Sequence, residues 1–89
     1  MSTFPGGSAF AMASQVAEGF LLITERTFKR MNRPDLEKLS FELEKLLRDI
    51  RGNQPDPDDV QEVQRRNRRI QRLNSCRMML RAYRMKKRI

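Results

Sequence analysis

Apolar side chains recur every three or four residues along most of the 89-residue chain, a spacing that predicts helices. Between Ser8 and Met31, Ala13, Val16, Phe20 and Ile23 fall on one stripe that Leu21, Leu22 and Phe28 widen, so a first helix over 8–31 is expected. A helix apolar over that much of its circumference needs two neighbours. Gly19 lies inside it and reads as a tolerated glycine, costing about 1 kcal/mol against alanine, rather than as a close helix crossing. Residues 1–7, with Pro5, Gly6 and Gly7, read as a loose tail, and Ser8 or Ser14 as the cap that follows. Met12 offers an alternative start that would leave the first eleven residues outside the fold.

"NRPD" separates this segment from a second helix over 34–51. Pro34 suits a first helical turn, and Asp35 and Glu37 complement the positive end of the dipole. Leu36, Leu39, Leu43, Leu46 and Ile50 make a straight 3-4-3-4 seam, with Phe41 and Leu47 off it and Gly52 as the residue that closes the helix. The loop "GNQPDPDD" leads into a third helix over 57–88, with Asp56 as its expected N-cap and Pro57 as its first residue. No Gly or Pro follows Pro57, so this helix should run unbroken for about 45 Å and overshoot the second. Its apolar face moves: Val60, Val63 and Ile70 share a side with Asn67 and Asn74, whereas the second half offers Leu73, Cys76, Leu80 and Tyr83. The expected fold is all-α, one domain over 8–89. It is an antiparallel helical hairpin extended to a small three-helix bundle, with a homodimer as the further expectation. Asn67, Asn74, Leu73, Leu80 and Tyr83 form the interface expected with the first helix or with a second copy.

Charge changes this picture by locating it. Residues 1–62 hold 8 basic and 11 acidic side chains, whereas residues 63–89 hold 11 basic and none acidic. That asymmetry points to an anionic partner. "RRNRR" also sets like charges at i and i+4, which opposes helix formation, so a negative ligand is the expected compensation. Arginine outnumbers lysine nine to two there, and arginine is suited to bidentate phosphate contacts. The nine residues "QRRNRRIQR" resemble the arginine-rich helices of some RNA-binding proteins, which implies arginines on phosphates and Asn67 on a base edge.

Other chemistry is sparse. There is no histidine, metal-ligand spacing or phosphate-cradling glycine loop, and Asp56, Asp58 and Asp59 are explained by capping. No enzymatic activity, metal or cofactor is expected. Cys76, the single cysteine, reads as a buried thiol and excludes an intramolecular disulfide, so a reducing, cytoplasmic setting is expected. The six methionines, Met78, Met79 and Met85 among them, read as core fillers. No secretory signal is evident, and "FLLI" is too short to span a bilayer.

The leading expectation is nucleic-acid binding through phosphates by Arg65, Arg66, Arg68, Arg69 and Arg72. Arg77, Arg81, Arg84, Lys86, Lys87 and Arg88 would extend the patch, with little sequence selectivity. Glutamine at Arg65, Arg66, Arg68 and Arg69 should then weaken binding. The alternative is an adaptor whose basic and apolar faces dock on an acidic protein or a second copy; an exposed apolar patch beside the basic row would favour it. An anionic membrane is a weaker third, because the region lacks a broad Trp/Phe/Leu face.

Overall fold

Ser8 starts the first helix: its backbone is extended and its Oγ accepts the Ala11 N–H at 3.1 Å, satisfying one amide that a helix start leaves unpaired. The computed structural model describes Phe4 and residues 7–89. Helix α1 spans Ala9–Glu18 and buries Met12, Ala13, Val16 and Ala17. It ends at Gly19, which is neither a tolerated interior glycine nor a helix crossing. Gly19 adopts the left-handed conformation (φ 82°). Its N–H donates to Val16 O at 3.1 Å, and the Phe20 N–H donates to Gln15 O at 2.9 Å. These two bonds cap the last carbonyls and turn the chain away.

The single helix expected over 8–31 is therefore two helices joined by an irregular segment. Along residues 20–23 burial alternates: Phe20 and Leu22 are 83% and 85% exposed, Leu21 is half-buried and Ile23 is buried. Alternation of this kind belongs to extended chain, so Phe20 is not on the core stripe. Helix α2, Glu25–Lys29, then places Phe28 in the core.

Asn32 caps the next helix by accepting the Asp35 N–H at 2.9 Å. Helix α3 spans Arg33–Gly52 and buries Leu36, Leu39, Leu43, Leu47 and Ile50. Leu47 takes the place expected of Leu46, which is half-buried, while Phe41 is 65% exposed. A straight helix drifts from a strict seven-residue repeat, and that drift carries the buried line onto Leu47. Gly52 is the last helical residue and not a left-handed terminator. Asn53 caps the end, its Nδ2 donating to Asp49 O at 3.0 Å.

Pro57 sits in a turn and not in a helix. Asp56 closes the turn by accepting the Asp58 N–H on Oδ1 and the Asp59 N–H on its carbonyl. The cap falls to Asp59, whose Oδ1 accepts the Glu62 N–H at 3.2 Å. Helix α4, Val60–Lys87, runs unbroken for 28 residues, about 42 Å at 1.5 Å per residue, along a molecule 44 Å in its longest extent. Arg88, left-handed at φ 59°, ends it.

The four helices pack together, α4 against α1, α2 and α3, and no strand occurs among the described residues. The core joins Met12, Val16, Phe28, Leu36, Leu39, Leu43, Leu47, Leu73, Cys76, Leu80 and Tyr83. The Phe28 and Tyr83 rings meet at 5.5 Å and 47°. Most of the tail 1–7 lies outside the described residues, but Phe4 packs on this core and Met12 is fully buried within it. Among the described residues no helix is long and apolar enough to cross a membrane.

Candidate nucleic-acid interface

The basic side chains of α4 divide by what they touch. Arg72 donates from Nη1 to Ala17 O at 3.1 Å, so it caps the end of α1 from outside. Arg66 donates to Ile50 O at 3.3 Å and to Arg51 O at 3.5 Å, doing the same for α3. Carbonyls at a helix C-terminus lack intrahelical donors and carry the negative end of the dipole, so a guanidinium satisfies both needs. Glu18 lies between Arg69 Nε at 3.1 Å and Arg65 Nη2 at 3.4 Å. The Arg69 Nε contact lacks hydrogen-bonding direction, so that pair is held by charge. Lys86 pairs with Glu25 at 3.1 Å, and this bond, ahead of the simple charge attraction, holds the Glu25 carboxyl below its ordinary range. Arg84 donates to Ile89 O at 3.1 Å and stands 3.8 Å from Glu37.

Arg65, Arg66, Arg69 and Arg72, expected on phosphates, thus have intramolecular work. Of the outer-face set only Arg68 makes no hydrogen bond or ion pair with a described residue; Arg77, Arg81, Lys87 and Arg88 share that condition farther along α4.

Three of these line an open groove of about 690 Å³ between α3 and the second half of α4. Its walls carry Arg33, Arg77, Arg81, Arg84 and Arg88, one acid, Glu44, and the apolar Met78, Met85 and Ile89. Arg33 went unnoticed in the sequence, although an antiparallel hairpin must bring the start of α3 to the end of α4. Met78 and Met85 are 68% and 70% exposed, so they flank the groove and do not fill the core.

The residues expected at an interface part company. Leu73, Leu80 and Tyr83 are taken up by the chain's own core, against α1, α2 and α3. Asn67 is exposed, and Asn74 is half-buried with Oδ1 lacking a hydrogen-bond donor. Val60 is exposed, and Val63 and Ile70 are half-buried, so the first half of α4 is only partly covered.

Cys76 is buried, and desolvation raises its pKa from an ordinary 9.0 to about 11, so the thiol stays protonated. Among the described residues no group of three or more acidic, cysteine or histidine side chains is placed to hold a metal ion. No protein-family model, curated protein or solved structure matches this chain.

Proposed function

We propose that this protein binds nucleic acid through phosphate contacts made by α4, with Arg68, Arg77, Arg81, Lys87 and Arg88 as the contacting cations and Arg33 and Arg84 beside them in the groove. One observation carries the reading: none of these five side chains makes a hydrogen bond or close ion pair with a described residue, Lys87 alone feeling the more distant charge of Glu25, in a segment that contains no acid at all. An uncompensated guanidinium row raises the energy of the isolated chain, and a polyanion lowers it. Titration of the protein with duplex DNA and structured RNA at several salt concentrations tests this. Five phosphates neutralised give a log–log slope of about −4.5 on duplex. Replacing Arg77, Arg81 and Arg88 together by Gln should flatten that slope by roughly 2 to 3. No binding at low salt would sink the reading.

A second reading is favoured by Met78, Met85 and Ile89 beside the same arginines. They suit an acidic, amphipathic helix of another protein lying in the groove. Its signature is capture of such a peptide with no affinity for duplex. Self-association belongs to the proposal on a different surface: Phe10 and Phe41, 59% and 65% exposed, line one open depression. Mass in solution over a range of concentrations checks it.

A further inference from the structure

Gln64, Asn67, Gln71, Asn74 and Met78 recur at 3-4-3-4 spacing along α4, and none is charged. At about 100° per residue their mean direction is opposite that of Leu73, Cys76, Leu80 and Tyr83, the buried line. Gln64, Asn67, Gln71 and Met78 are accordingly exposed, and Asn74 is half-exposed. The outermost line of a solvated helix is where charge is ordinarily found. Here the charges stand to its sides, Arg68 on one edge, Arg77 and Arg81 on the other.

We infer that this ridge enters the major groove of duplex DNA, with Gln64, Asn67 and Gln71 against base edges while the flanking arginines hold the two phosphate backbones. The inference rests on the phosphate reading above and adds sequence selectivity, which arginine–phosphate contacts alone do not provide. Three physical facts meet in it. Asn and Gln are the side chains whose amides pair bidentately with adenine N6 and N7, and thymine offers a methyl group to an apolar neighbour such as Met78. A helix with its side chains is about 10–12 Å across and the B-form major groove about 12 Å wide, whereas the major groove of A-form RNA is too narrow. From Gln64 to Met78 the ridge rises about 21 Å, enough for the three or four base contacts a recognition helix makes. Arginines on both edges would meet phosphates on both strands.

The test is selection of duplexes from a random library by the full chain, followed by affinity measurements on Asn67→Ala and Gln71→Ala. Both positions are exposed, so the variants should melt like the parent. The expected result is an enriched site containing adenines. Each variant should lose about tenfold in the ratio of specific to non-specific affinity, with bulk-DNA affinity and salt slope unchanged. Salt-dependent binding with no enriched sequence would overturn the inference and leave the phosphate reading standing. So would an enriched site that both variants bind as well as the parent, or a preference for structured RNA. Absence of binding to any polyanion at low salt overturns both.

Discussion

Gly19 shows how much one residue decides. In its left-handed conformation a built Cβ would stand 2.8 Å from Arg72 Cζ, the guanidinium that caps α1. Gly19→Ala therefore both strains the backbone and displaces that guanidinium, and should cost about 1–2 kcal/mol in urea denaturation. A loss below about 0.3 kcal/mol would show that the turn tolerates a side chain. Cys76 makes a different prediction. Its folded pKa of about 11 exceeds the ordinary 9.0, so the folded state holds the proton more tightly than the unfolded chain. That contribution to stability is fully present below pH 9 and is lost as pH rises through 11. Cys76→Ala should remove this part of the slope, and identical slopes for variant and parent between pH 9 and 11 would contradict it. At pH 8 the native thiol should react with a disulfide reagent at least about 100-fold more slowly than in the urea-unfolded chain.

At the scale of elements, the like charges of α4 fall into two groups, those bonded to the chain's own helix ends and acids and those without such contacts among the described residues, and the sequence alone displays only their sum. Arg66 and Arg72 finish the ends of α3 and α1 from a neighbouring helix, adding to the caps made by Asn53 and Gly19. Arg66→Gln and Arg72→Gln should each lose about 0.5–1.5 kcal/mol of stability. Arg77→Gln and Arg81→Gln should change stability by less than about 0.5 kcal/mol and affect binding instead. Thermal melts of the four variants separate the groups, and equal losses in all four would dissolve the distinction. The split of the first expected helix has a comparable cause. A run of Phe20, Leu21, Leu22 and Ile23 is compatible with a buried helix or with extended chain, and periodicity does not decide between them. Gly19, followed by no further helix-favouring pattern before Thr24, was the available signal.

For the molecule as a whole, α1 and α2 cover the second half of α4, and its buried line joins the core within one chain. Phe28 stands at the centre of that closure, fully buried against Tyr83. Phe28→Ala should cost about 3–5 kcal/mol, enough to threaten the fold of a domain this small. An unchanged melting temperature would mean that α2 is not part of the cooperative unit. The helical character of the chain, the hairpin of α3 and an α4 unbroken to its basic end, and Leu73, Cys76, Leu80 and Tyr83 as the buried line of its second half were all legible in the residues alone. Those properties follow from local periodicity, caps and breakers, which neighbouring residues carry among themselves. Which arginines are occupied, the place of Arg33 in the basic groove, the outward position of Met78 and Met85 and the fuller burial of Leu47 than of Leu46 come instead from packing between elements. Each depends on where a residue distant along the chain comes to lie, and a guanidinium reaching a carbonyl 55 positions away, as Arg72 reaches Ala17, leaves no local trace.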